Sequence, residues 1–159
     1  MLYIKNAPSA LVLTRQNLPV LATTDAAQVV KGGYIVCHEV SELKLIMMAS
    51  GSEVPLAVEV ATELNQQGIG VRVVSMPSQE LFNLQTEEYK ASILPRNDAV
   101  RRMAIEMAHP QSWYQYLGLD DIAVGITSFG ASGNANDVLE KYGFTKDAIM
   151  EKAQTLLNK

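Results

Sequence analysis

Residues 43–75, LKLIMMASGSEVPLAVEVATELNQQGIGVRVVS, decide the fold class. Leu43 to Ala49 is a short apolar run of strand length, and it ends in Ser50-Gly-Ser52. From Ser52 the periodicity changes: Val54, Ala57, Val58, Ala61 and Leu64 recur at helical spacing. Pro55 falls in the first turn, where the missing amide is harmless, and Gly68 stands where helices commonly stop. Val71 to Ser75 then reads as a second strand. Strand, helix and strand in this order build an α/β sheet.

The pattern extends in both directions. Gly33 to His38 reads as a strand before Leu43, and the four-residue connection Glu39 to Glu42 is too short for a parallel crossover, which predicts an antiparallel pair. Downstream, short helices are expected around Leu81 to Leu84 and over Glu87 to Leu94, which Pro95 stops. Arg101 to Glu106 reads as a fourth strand, Trp113 to Leu117 as a short helix and Ile122 to Gly125 as a fifth strand. Ala135 to Tyr142 and Thr145 to Leu157 close the chain as a helical pair. The expectation is an α/β three-layer sandwich around a five-stranded mixed, mostly parallel sheet over residues 29–159, preceded by an arm over residues 1–28.

Composition agrees with one ordinary globular domain: 159 residues, 48% hydrophobic and 19% charged. A net charge of −4 without a basic stripe argues against nucleic acid as a partner. The apolar runs fall short of the roughly 20 residues that cross a bilayer, no signal-peptide plan opens the chain, and a cytoplasmic location is expected. The single cysteine, Cys37, fits a reducing compartment.

Few residues carry chemistry. Cys37 and His38 are neighbours on a strand, so their side chains point to opposite faces and cannot act as nucleophile and base together. His109 precedes Pro110 in a strand-to-helix loop, a place where such folds keep functional groups, although a loop histidine also serves as plain polar surface. Glu106, at the end of a strand, could face a partner. Two histidines and one cysteine, widely spaced, make no zinc set. The start of the helix after Gly51-Ser52 exposes free amides that could take a small anion or nucleotide. A capping Ser52 with Glu53 in the first turn explains the same residues without a ligand. No glycine-rich dinucleotide or triphosphate fingerprint is present.

The arm is more pointed. In Ala10-Leu-Val-Leu-Thr-Arg-Gln-Asn-Leu-Pro-Val20 an apolar strand runs into a polar turn holding Arg15, whose planar fork of donors suits phosphate or carboxylate. The segment Leu13-Thr-Arg-Gln-Asn-Leu-Pro19 resembles the stretch of transketolases that leads from the middle domain into the C-terminal domain. The likeness continues in order through Gly32-Gly-Tyr34, Ala49-Ser-Gly-Ser-Glu-Val54, Val71 to Pro77, Tyr89 to Pro95 and Phe129-Gly-Ala-Ser132. Two departures stand out: Thr127 and Ser128 replace the acidic residue and arginine that many members carry before Phe-Gly, and the loop Met107 to Ser112 lacks a common glycine.

The resemblance implies a C-terminal fragment of a transketolase, an enzyme that moves a two-carbon ketol unit between phosphorylated sugars in the pentose phosphate pathway. It implies that Arg15 binds the substrate phosphate, and that thiamine diphosphate and magnesium are held by domains these residues do not include. The partners implied are the rest of the chain and a second subunit of a homodimer. By itself the fragment is expected to bind no cofactor, to be inactive and to serve assembly. Its arm is expected to be loose or to lie on a neighbour, with removal of residues 1–28 costing within about 1 kcal/mol. The alternative is a free-standing α/β module with an anion or nucleotide at Gly51 and Ser52.

Overall fold

The computed structural model describes residues 6–14 and 16–159. A five-stranded sheet runs in the order β1-β3-β2-β4-β5, formed by β1 (Tyr34–Cys37), β2 (Leu43–Ala49), β3 (Gly70–Ser75), β4 (Arg101–Ile105) and β5 (Ile122–Val124). β1 is antiparallel to β3, and every other neighbouring pair is parallel. The mixed, mostly parallel sheet of the sequence reading is therefore present.

Side chains of β2 alternate between two cores. Leu45, Met47 and Ala49 join β3, β4 and the helices α2 (Glu53–Gln66) and α6 (Lys146–Leu157) in one cluster. Ile46 and Met48 point to the opposite face, beside Phe82 of α3 (Gln79–Asn83), Ile93 of α4 (Glu87–Ile93) and Trp113 of a 3-10 helix over Pro110–Tyr116. Both faces of the central strand are covered, which is why its sequence is an unbroken apolar run. These are the three layers. The last helix before α6, α5 (Ala135–Tyr142), ends in Gly143 with a left-handed φ of 74°.

One topological expectation fails. β1 and β2 run in opposite directions, as their short connection requires, but they do not pair. β3 lies between them. The unit β2-α2-β3 is a parallel crossover that seats β3 directly on β2, so β1 pairs with the outer edge of β3 instead. The 38–42 connection must then pass over the start of β3. Gly70 makes that possible, because a Cβ there would collide with the Glu42 carbonyl. The buried Asn65 of α2 secures the same corner: its amide donates to the Val71 carbonyl at 2.9 Å and accepts from the Val71 amide at 2.9 Å.

The strand expected at Ala10 to Leu13 is absent. Residues 8–14 have no secondary structure, and Leu11, Val12 and Leu13 are exposed, Val12 at 92%. A strand needs a partner ladder, and no pairing of this sheet includes these residues. After them the chain returns to the domain. Leu21 rests against the larger core cluster, the Thr23 hydroxyl donates to the Val36 carbonyl of β1 at 2.7 Å, and Asp25 caps a single turn, α1 (Ala26–Val29).

Candidate functional site

The sheet order reverses between β2 and β4: from β2 the chain crosses to β3 on one side, and then to β4 on the other. In open α/β sheets the crevice beyond the carboxyl ends of such strands is where ligands bind. Here that place is built from Ser50-Gly51-Ser52 after β2, the start of α2, and Glu106-Met107 after β4.

What fills it is carboxylate. The Ser50 hydroxyl donates to Glu106 Oε2 at 2.8 Å, and the Ser52 hydroxyl donates to Glu53 Oε1 at 2.6 Å. Glu53 is only 3% exposed. Burial pushes its carboxyl pKa up, the Ser52 hydrogen bond pulls it down, and the charge of Glu106 raises it again. The favourable field at a helix start is thus taken by the protein's own Glu53. Ser52 does not cap α2: its φ and ψ are helical and its side chain makes no bond to a free amide, because the hydroxyl is turned to Glu53. The sequence reading of Ser52 as a cap is corrected on this point. A small anion at Gly51 and Ser52 would meet two carboxylates, so the alternative of an anion-binding module is not favoured.

The remaining candidates are dispersed. Arg15 lies outside the described residues, so its side chain is not placed against any of these groups. His109 is exposed and accepts from the Gln111 amide at 3.3 Å, which makes it the cap of the 3-10 helix. Cys37 is half-buried, with Asn65 as its neighbour, and burial raises its thiol pKa. Glu106 faces Ser50 within the chain. Among the described residues no group of three or more His, Cys, Asp or Glu side chains gathers where a metal ion could be held.

Two arginines missed by the sequence reading are structural. Arg72 of β3 forks onto both oxygens of Glu39 and donates to the carbonyls of Ser92 and Ile93 at the end of α4. Arg102 of β4 donates to the carbonyls of Leu94, Pro95 and Tyr116. Together they clasp the same turn from beneath. The alternation of a strand placed both on one face, and only the fold brought that turn to them.

The chain is 51% identical over 155 residues to the transketolase of Staphylococcus epidermidis, covering 96% of this chain and 23% of that protein. It is 48% identical over 152 residues to a probable transketolase of Streptococcus pneumoniae, again over 96% of this chain and 23% of that protein. The chain thus spans about a quarter of the length of the curated relatives it matches. A Pichia stipitis transketolase solved in complex with sedoheptulose 7-phosphate superposes with a TM-score of 0.81 at 36% identity, over 91% of this chain and 20% of that one. Residues 32–145, which hold all five strands and both carboxylates, match the family model described as the transketolase-like C-terminal domain, and the chain belongs to that family.

Proposed function

We propose that this chain works as the C-terminal domain of a transketolase, within an enzyme that transfers two-carbon ketol units between phosphorylated sugars. The 51% identity to a transketolase over nearly the full chain carries this reading. Residues 29–159 form the domain proper, and residues 1–28 form the arm that leads into it. The enzyme is read as a cytoplasmic homodimer.

Thiamine diphosphate and its metal do not fit these residues. The helix start at the switch point carries Glu53, and Glu106 stands beside it at the end of β4, an acidic pair unsuited to a diphosphate, and the described residues gather no metal set. Cofactor chemistry is assigned to other parts of the enzyme, and by itself this piece has no transferase activity.

Arg15 is the residue of this chain assigned to substrate. A guanidinium holding the terminal phosphate converts binding energy into a fixed distance between the sugar's reacting carbon and the catalytic machinery. Replacing Arg15 by alanine in the full-length enzyme tests it. A charge-assisted phosphate contact is worth about 1.5–3 kcal/mol, so the KM for phosphorylated acceptors rises about tenfold to a hundredfold. Unphosphorylated acceptors are nearly unaffected. Equal losses for both kinds of acceptor refute the assignment.

A further inference from the structure

We infer that the cavity between α4, the 3-10 helix and the start of β4 binds a small phosphorylated ligand, with Arg102 and Arg96 as the groups that hold its phosphate. The cavity has a volume of about 640 Å³, within the usual range for small-molecule sites. It opens on the face of the sheet covered by α3 and α4, and Glu53 begins α2 on the other. Phe82, Leu94, Pro95 and the ring of Tyr116 give it apolar walls. A chain of hydrogen bonds fixes the remaining side: the Tyr116 hydroxyl donates to Asn83 Oδ1 at 2.9 Å, and Asn83 Nδ2 donates to Gln115 Oε1 at 2.9 Å.

The charge of this cavity runs against that of the chain. The whole protein carries a net charge of −4, yet Lys90, Arg96 and Arg102 line the cavity with Glu87 as the one carboxylate among them. Glu87 is spent on Lys90, whose Nζ lies 2.6 Å from it. Among the described residues neither arginine has a carboxylate at ion-pair distance. Two positive charges are therefore left over.

Arg102 is half-buried, and the bonds it makes go to neutral carbonyls: Nη1 donates to Tyr116 at 2.7 Å, and Nη2 to Leu94 and Pro95 at 3.2 and 2.9 Å. Its Nε–H has no partner among the described residues. No sealed side-chain nitrogen or oxygen there lacks one, so this donor reaches solvent. Burial lowers the Arg102 pKa, Asp121 offsets part of that, and the charge of Arg96 lowers it again. The two guanidinium groups thus feel each other. Asp121 does not neutralise them by contact, because its oxygens accept from the amides of Arg102 and Gly118 at 2.8 and 2.7 Å.

The size of the surplus selects the ligand. A phosphate monoester carries a charge of about −1.5 to −2 at neutral pH and matches two uncompensated cations, whereas a carboxylate answers only one. Guanidinium donors suit phosphate oxygens in geometry as well as in charge. The apolar walls are left to cover the body of the molecule.

The test is an NMR titration of the chain with inorganic phosphate at fixed ionic strength, following backbone amides, with acetate as the comparison. Saturable shifts are expected at residues 94–96, 102 and 115–116, with acetate binding more weakly. Arg96→Ser, at an exposed position, and Arg102→Met each weaken phosphate about tenfold. Arg101→Ser removes the same charge from a residue that faces Asp120 at 3.8 Å, and it leaves phosphate binding unchanged. Glu87→Gln, which frees Lys90, tightens it. Shifts that stay linear into tens of millimolar phosphate overturn the inference, and so does acetate binding as tight as phosphate. Equal weakening by Arg101→Ser and Arg96→Ser shows a diffuse charge effect and overturns it as well. If Arg102→Met does not fold, Arg96→Ser and Glu87→Gln decide: binding that moves in neither overturns the inference.

Discussion

Replacing Arg72 by methionine isolates the clasp beneath the sheet. Methionine keeps most of the aliphatic stem and removes the guanidinium, and with it two bonds to Glu39 and the bonds of 2.9 and 3.0 Å to Ser92 and Ile93. The side chains of Arg72 and Glu39 are 11% and 20% exposed, so the stranded carboxylate regains only part of its hydration. We assign about 2 kcal/mol to the charged contact, below the roughly 3–5 kcal/mol of a fully buried pair. The two carbonyls at the end of α4 lose a cationic partner where the helix field favours one, which adds about 1 kcal/mol. The sum, about 3 kcal/mol, lowers the thermal midpoint by roughly 10 °C. Urea unfolding of the two proteins at several pH values measures it. The Arg72 hydrogen bond holds the Glu39 carboxyl below its ordinary value of 4.5, so this stabilisation is complete above that value and disappears as pH falls through the lower value of the folded state. The gap between the two proteins must therefore shrink in acid. Adding Glu39→Gln to Arg72→Met recovers about 1 kcal/mol, because no charge is left stranded. A loss below about 1 kcal/mol at neutral pH, or a gap that widens in acid, refutes the account.

Glu53→Gln tests the carboxylate at the switch point. The folded state raises the Glu53 pKa above 4.5, so it binds the proton more tightly than the unfolded chain; the resulting stability is present below 4.5 and is lost as pH rises through the folded value. Glutamine does not titrate, so the variant gains on the parent as pH rises above 4.5 in denaturant titrations, and an advantage that falls as pH rises contradicts the burial argument. Removing residues 1–28 deletes the Leu21 contact, the Thr23 bond to Val36 and the Asp25 cap of α1, and costs about 2 kcal/mol, above the roughly 1 kcal/mol expected for a loose arm. Calorimetry of the truncated chain checks this, and complete unfolding at room temperature refutes it.

The sequence by itself determined the elements and the family. Every strand and helix from Tyr34 to Leu157 falls within a few residues of its expected place, because apolar spacing, Pro95 and the glycines act over a handful of neighbours. The Gly68 stop is an instance: its φ of 82° is a local requirement, and glycine meets it. The resemblance spread over the chain likewise needed only residues in order. Contacts between distant segments were decided by the tertiary structure. Nothing near Glu39 to Glu42 records that β3 will lie between β1 and β2; the crossover through α2 imposes it, and Gly70 shows its purpose only once the connection passes above. Ser52 and Glu53 read as an ordinary helix start until Glu106, far along the chain, is brought to the same crevice by the parallel pairing of β2 with β4. The apolar strand expected at Ala10 to Leu13 failed for the complementary reason: an apolar run makes a strand only where another strand supplies its hydrogen bonds.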